Sequence, residues 1–426
     1  MFSFISIINA SPLFYKQFIP GTHINNVCCI IIPVTRKILH LDLDAFYCAV
    51  EELLNPDLTH KAFAVGGIPN KRGVISSCSY AARQFGIHSA MPTAKALSLY
   101  PKLILVPGNH PAYADYSAKV MKIIAQLSPL VEQMSIDEAF IDVSDLPQSG
   151  KMISKELQRS INDALSLPCS IGVATNKLVA KIANDYGKAS NRGSAPPQAI
   201  TVILPGGEAA FLAPLPVRAL LGIGPKTAAR LKTLGIITIG DLAHIPDAKL
   251  KQLFGESGPE LGQRAKGIDD SPLVSEHKVK SISNEVTFER DIADQTKLLQ
   301  TLRSLSDQVG RRLRKSALAG NTVHLKLRYA DFITLTRQIT LSQYTDQDNE
   351  IYKTVNTLLE QNWLKGHPVR LLGVGISGLG PPIRQLSLWD QGDLHEKKLL
   401  KAVDGLKDRF GEKIIRRASH LKNNDQ

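Results

Sequence analysis

The sequence predicts an α/β multidomain chain, and three observations carry that expectation. Its 426 residues are 43% hydrophobic and 21% charged, enough for roughly two to four cores and too many for one. From Lys37 onward, apolar runs of strand length alternate with stretches of helical period. A Gly-containing helical segment then interrupts the strands, which return together with a long basic helix further on.

Composition narrows the functional classes. A formal net charge of +12 favours a polyanionic partner. Cys28, Cys29, Cys48, Cys78 and Cys169 form neither a CxxC pair nor a zinc spacing, so a reducing, cytoplasmic setting fits better than a disulfide framework. Residues 1–36 read as an extension, disordered or a start-site artefact: up to Val34, Lys16 is the sole Lys or Arg and there is no acid. Asn9, Pro12, Pro20, Gly21, Asn25 and Asn26 interrupt the Phe- and Ile-rich run, so neither a secretory signal nor a membrane span is expected. Val34 is a candidate start, which mass spectrometry of the native N-terminus checks.

Ile38–Leu43 reads as the first strand, with Asp42 near its end. Phe46–Leu54 follows as a helix stopped by Asn55 and Pro56. Residues 62–65 and 73–77 read as short strands around a turn at 66–70, and Tyr80–Arg83 opens a short helix. Tyr80 and Arg83 share a helical face. There an Arg could grip phosphate oxygens with paired donors, although a packing pair would look the same.

Residues 135–142 read as another strand, with Ile136, Phe140 and Ile141 around Asp137 and Glu138. Buried ionised oxygens demand a partner. Between Arg83 and Asp137 only Lys95, Lys102, Lys119 and Lys122 are basic, and none is locally placed to pair, so a divalent cation is the economical answer. Asp42 supplies a third carboxylate if the two strands are sheet neighbours, and the Leu43 carbonyl a fourth oxygen. Oxygen ligands without convergent His or Cys favour Mg²⁺ or Mn²⁺ over Zn²⁺. Such a set can hold two ions ~3.5–4 Å apart, the geometry of phosphoryl transfer. The acids could equally cap strand ends or pair with distant basic residues.

Four motifs then stand in order: LDLDAFYCAVE at 41–51, CSYAARQFGI at 78–87, SIDEAFID at 135–142 and GVATNKLVAKIA at 172–183. Together they resemble the Y-family translesion DNA polymerases, most closely the DNA polymerase IV branch, from Lys37 to about residue 411. The resemblance implies a right-hand fold: a palm of antiparallel sheet plus helices (37–46 and 108–204), fingers (47–107), a helix-hairpin-helix thumb (205–270), a linker (271–284) and an α/β little finger (285–384). It implies that Asp42, Asp137 and Glu138, with the Leu43 carbonyl, hold two Mg²⁺ ions, Mn²⁺ being an alternative. Tyr47 matches the steric gate that excludes a 2′-hydroxyl. Ser77, Tyr80, Arg83 and Lys188 match residues that hold the triphosphate, and Val74 and Ser76 fall where the fingers roof the templating base. One departure is the longer loop at 189–197, where many relatives run straight from the lysine into the next strand.

The segment LLGIGPKTAARL at 220–231 has the pattern of a helix-hairpin-helix turn. Gly222 and Gly224 would let backbone N–H groups approach a phosphate, with a helix N-terminus behind them and Lys226 nearby. Such turns hold DNA backbone without reading sequence. Across residues 301–345 eight basic residues (Arg303, Arg311, Arg312, Arg314, Lys315, Lys326, Arg328, Arg337) face Asp307 and Asp331, a local excess of +6 and half that of the chain. With the alternating strands, this reads as a sheet laid along phosphates, Arg328 and Arg337 among its contacts. Residues 385–426 begin with Gln385, Leu386, Ser387, Leu388 and Trp389, which resemble the bacterial sliding-clamp peptide. A helix holding Leu399, Val403, Leu406 and Phe410 follows.

The expected function is template-directed, low-fidelity DNA synthesis past damaged bases, by a monomer acting on primer–template DNA and deoxynucleoside triphosphates, without proofreading. A catalytically silent DNA-binding regulator on the same scaffold is the alternative, opposed by the presence of all three acids and of Arg83. A nucleotide cyclase would not need the Gly222 and Gly224 turn.

Overall fold

The computed structural model describes residues 35–191, 193–276, 278–382, 391–411 and 414–415. The extension up to Val34 and the peptide at 385–389 lie outside the described residues. The chain divides into two compact units, one up to Glu276 and one beyond it.

In the first unit, strand β1 (Ile38–Leu43) turns through Ala45, whose backbone is left-handed (φ 46°), into helix α1 (Phe46–Leu54). Strands β2 (Phe63–Gly66) and β3 (Ile75–Cys78), helices α2 (Tyr80–Arg83) and α3 (Thr93–Leu99), and strand β4 (Ile104–Val106) follow. The three strands pair in the order β3-β2-β4 around Ile75, Cys78, Ala82 and Ile87. Helix α4 (His110–Leu127) starts at an Asn109 cap with a proline in its first turn. Then come β5 (Val131–Gln133), β6 (Glu138–Asp142), α5 (Gly150–Leu165), β7 (Cys169–Ala174), α6 (Lys177–Ser190) and β8 (Ile200–Val202). These build a second sheet, ordered β5-β6-β1-β7-β8, with β1 at its centre.

Strand alternation gives this sheet two different faces. Leu39, Leu41, Leu43, Ala139 and Ile141 point into a core closed by Tyr113, Val120, Ile153, Leu157 and Ile161 from α4 and α5. Burying each large aliphatic side chain is worth about 1.5–3 kcal/mol, so this face supplies the stability. The other face carries His40 and Asp42 opposite Phe140 and Glu138, and α6 covers it. Gly172, paired with His40, permits that close approach: a Cβ there would collide with the Ala180 carbonyl and the Asn184 amide.

The single strand expected over 135–142 is instead a hairpin. Ser135 breaks it. Its Oγ accepts from the N–H groups of Asp137 (3.2 Å) and Glu138 (3.0 Å), folding residues 134–137 into a turn that carries no Gly or Pro to announce it.

Helices α7 (Glu208–Leu212), α8 (Pro225–Thr233), α9 (Ile239–Ala243), α10 (Asp247–Phe254) and α11 (Gly258–Ala265) pack through Leu212, Leu220, Leu231, Leu242 and Leu250. The stretch expected as a free linker, 271–284, is bound at its start, because buried Glu132 accepts from Val274 N (3.0 Å) and Lys177 Nζ (2.9 Å). Its end is already strand.

That strand, β9 (Ser281–Ile292), opens the second unit. It is followed by α12 (Gln295–Lys315), β10 (Ala319–Tyr329), β11 (Thr334–Thr345), α13 (Asp348–Asn362), β12 (Val369–Gly380) and α14 (Gln391–Phe410). The sheet order is β11-β10-β12-β9, and Leu302, Val309, Val355 and Leu359 of α12 and α13 cover one face. Helix α13 has no counterpart among the elements expected from the sequence. Helix α12 spends much of its expected basic surface internally. Arg311 and Lys315 pair with Asp408 (2.8 and 2.7 Å), and Arg314 pairs with Asp404 (2.6 Å) and Asp348 (2.8 Å). The local excess of +6 therefore overstates the free charge, since its counter-ions come from α13 and α14. Helix α14 docks through those acids and leaves Leu399, Leu406 and Phe410 exposed.

Candidate active site

The α6 face of the central sheet is where the predicted acids meet. Register places Asp42 opposite Glu138 across the β1–β6 pair, and the Leu43 amide donates to the Asp137 carbonyl (3.0 Å), bringing the turn against the strand end. The neighbour relation expected for the two acid-bearing stretches is thus present. Asp137 is further held by Ser135 Oγ, which donates to its carboxylate at 2.5 Å.

No basic residue near these acids in sequence pairs with them, but the alternative of distant basic partners is realised. Lys188 Nζ lies 2.5 Å from Asp42 and 3.3 Å from Asp44, while Lys181 Nζ donates to both Glu138 oxygens at 3.0 and 3.1 Å. Both lysines arrive from α6, two helical turns apart on one face, so only the packing of α6 on β1 reveals the pairing. The two acids respond differently to these surroundings. Burial, aided by the Glu138 and Asp137 charges, pushes Asp42 up to about 7 against the pull of Lys188. Glu138 goes the other way: the His40 ring and the Lys181 ammonium hold it below the usual carboxylate range despite desolvation. Lys188 stays protonated because Asp42 and Asp44 outweigh its burial.

Among the described residues no three His, Cys, Asp or Glu side chains already converge as a metal cluster. The fit to a cation rests on the donor set: three carboxylates at two adjoining strand ends, no His or Cys among them, and two ammonium groups standing in as cations.

Around this centre, Tyr47 at the start of α1 stacks on Tyr113 (centroids 4.3 Å, 10° apart), and burial and the Asp137 charge raise its hydroxyl pKa. Tyr113 is itself fixed by donating to Glu51 at 2.5 Å, so the Tyr47 ring has a rigid backing. Ser77 is buried on β3. The Arg83 guanidinium lies 4.4 Å from the Tyr80 ring centroid, which is the shared face expected of that pair. A cavity lined by Asp44, Cys48, Glu52, Lys61 and Tyr80 is also lined by Ser194, Ala195 and Pro196 of the long loop. That loop is tied across it: Gln84 Nε2 donates to the Gly193 carbonyl (2.8 Å) and the Gln198 amide to Asp44 (3.0 Å). Ser76 is exposed on β3, and Val74, exposed just before it, is bridged to Pro92.

The predicted DNA contacts divide. Gly222 adopts φ 93°, Gly224 caps α8 with open space where a Cβ would stand, and Lys226 is exposed. Arg328 lies with His324 and Lys326 on the uncovered face of the four-stranded sheet. Arg337 does not join it: its register partner is Leu325, on the helix-covered face, and its Nε donates to Asn362 of α13 (3.1 Å). Sequence reasoning missed His40, Asp44, Lys181 and Asn184. Their signal was available, because His40 and Asp42 alternate along one strand, and Lys181, Asn184 and Lys188 recur at helical spacing.

Models of the impB/mucB/samB family match residues 41–185, of its HHH motif 205–236, and of its C-terminal domain 279–388. The chain belongs to this family, the Y-family DNA polymerases. It is 40% identical over 383 residues to a DNA polymerase IV of Dehalococcoides mccartyi (strain CBDB1), covering 88% of this chain and 95% of that one. A DNA polymerase IV of Listeria innocua is 38% identical over 350 residues, covering 82% and 96%. A Y-family DNA polymerase chimera of known structure shares the fold at a TM-score of 0.71 and 24% identity, over 81% of this chain and 99% of its own. The Y-family architecture of palm, fingers, helix-hairpin-helix thumb and little finger is therefore the architecture of this chain.

Proposed function

We propose that this protein is a template-directed DNA polymerase of translesion type, extending a primer by two-metal nucleotidyl transfer without a 3′–5′ exonuclease. The observation that carries the reading is the pairing of Asp42 with Glu138 beside Asp137 on the α6 face. In this reading the five-stranded sheet is the palm, the β3-β2-β4 sheet the fingers, the helices from α7 to α11 the thumb, and the second unit the little finger. Asp42, Asp137, Glu138 and the Leu43 carbonyl would hold two Mg²⁺ ions, with Mn²⁺ an alternative. When bound, such ions activate an attacking hydroxyl and neutralise charge on the transferring phosphoryl group.

The chain's own residues supply positioning. With a cation at Asp42, Lys188 would be free to bind the triphosphate, as would Arg83, Tyr80 and Ser77. Asp44, bonded to Ser170 Oγ (2.9 and 3.0 Å) and the Gln198 amide, keeps Lys188 at the site during that exchange. Tyr47, braced by Tyr113, excludes a ribose 2′-hydroxyl. Gly222, Gly224 and Lys226 hold DNA backbone. So does the open little-finger face, where Lys326 stands opposite Gly373 on the neighbouring strand and Arg328 lies one step further along the same face. Gln385, Leu386, Leu388 and Trp389 dock on a sliding clamp, and the enzyme acts as a cytoplasmic monomer. Among the described residues no helix is long and apolar enough to cross a membrane.

Primer extension on undamaged and lesion-bearing templates tests the reading. Glu138→Gln should abolish extension while leaving DNA affinity within severalfold. Extension by that variant at the wild-type rate would refute the metal assignment.

A further inference from the structure

Behind Glu138 stands His40, fully buried two residues before Asp42 on the same face of β1. Its ring is held on three sides: Phe140 lies 4.7 Å away at 57°, Gly172 is its register partner, and Asn184 Nδ2 sits 3.0 Å from Nδ1. The orientation of the Asn184 amide follows from its surroundings. The same nitrogen also lies within hydrogen-bond distance of the His40 carbonyl (3.2 Å) and the Ser170 carbonyl (3.1 Å), so its two hydrogens are shared among three acceptors, where an oxygen would face two carbonyls. His40 Nδ1 therefore accepts, and in the neutral ring the proton resides on Nε2. That Nε2 has no hydrogen-bond partner, and it points at Glu138 Oε2 from 3.9 Å. Oε2 is instead bound by Lys181 at 3.1 Å.

A buried donor one short step from an acid whose oxygens a lysine already holds is a poised contact. We propose that His40 is the positioning residue for Glu138. When a cation relieves Lys181 of its charge-balancing role, His40 Nε2–H takes Oε2 and leaves Oε1 turned towards Asp42 and Asp137. The lysine reaches Glu138 on a long stem with four rotatable bonds, whereas the imidazole is fully buried, so the exchange replaces a long-armed partner by one held through Asn184. Hydrogen bonds behind ligating groups commonly matter 10–100-fold in affinity or activity, on the order of the effect expected here. The inference rests on the metal reading of Glu138 given above.

The test uses the full-length protein with primer–template DNA and a non-hydrolysable deoxynucleotide. Mn²⁺ affinity is read by electron paramagnetic resonance for the wild type, His40→Phe, which keeps the ring volume without a donor, and His40→Gln, whose amide reaches the Nε2 position. Mn²⁺ affinity in His40→Phe is expected to weaken at least about tenfold, with kcat lowered and the KM for nucleotide unchanged, and His40→Gln is expected to restore most of both. Equal affinity in wild type and His40→Phe overturns the proposal, as does equal loss in both variants, which would make the ring a packing element. Should His40→Phe fail to fold, nitrogen-15 NMR of histidine-labelled wild type decides: an Nε2–H tautomer whose proton moves downfield on Mg²⁺ addition supports the proposal, and an Nδ1–H tautomer or an unmoved proton overturns it. Failure of the underlying metal reading looks different, because Glu138→Gln would then bind Mn²⁺ as tightly as wild type.

Discussion

Replacing Asp42 by Asn should stabilise the protein while destroying its activity. The side chain of Asp42 is only 15% exposed, and its pKa rises from 3.8 to about 7 in the fold. At 1.36 kcal/mol per pH unit that rise corresponds to a ceiling of about 4 kcal/mol for carrying the charge at pH above both values. Because Lys188 loses a partner in the variant and keeps only Asp44, the expected net gain is smaller, about 1–3 kcal/mol, or roughly 3–9 °C in Tm for a unit of this size. The sign follows from the direction of the shift. An acid whose folded pKa is raised binds its proton more tightly in the native state, so stability falls as pH climbs from about 4 to about 7. Thermal or denaturant unfolding of metal-free wild type across that window should show the decline, and Asp42→Asn should flatten it. Added Mg²⁺ should raise the Tm of wild type but not of the variant. A variant less stable than wild type at pH 7.5, or one with the same pH slope, would refute the reasoning.

Other perturbations separate the parts of the site. Lys188→Met should tighten Mn²⁺ binding in the absence of nucleotide, since the competing ammonium is gone, yet raise the KM for deoxynucleotide at least about tenfold, the worth of a charge-assisted contact; movement of both quantities in the same direction would discard the exchange of Lys188 between Asp42 and triphosphate. Tyr47→Ala should admit ribonucleotides in a primer-extension assay, and unchanged sugar discrimination would place the gate elsewhere. Deleting residues 385–389 should cut stimulation by the sliding clamp and spare unassisted synthesis, and an equal clamp response in both proteins would remove that role.

Much of this was legible before folding. The strand of β1 and the helix of α1 follow from apolar residues at 38, 39, 41 and 43 and from a helical stretch stopped by Asn55 and Pro56, and both appear with the expected bounds. Local periodicity reports such elements because their hydrogen bonds and burial are settled within a few residues. The acids at 42, 137 and 138 were equally visible, since charge inside an apolar run is anomalous wherever it occurs. The hairpin turn at Ser135 was not, because a hydroxyl accepting two amides leaves no Gly or Pro in the sequence.

The sequence by itself determined which residue types are present and which face of each strand they share. Only the tertiary structure decided what each charge meets. Packing α6 across β1 delivered Lys181, Asn184 and Lys188 onto carboxylates distant in the chain, docking α14 on α12 consumed cations counted as free, and strand register sent Arg337 to the opposite face from Arg328. The physical reason is range. Apolar burial and backbone hydrogen bonding follow a repeating local pattern, whereas an ion pair depends on two side chains a few ångströms apart, a distance that sequence separation does not encode.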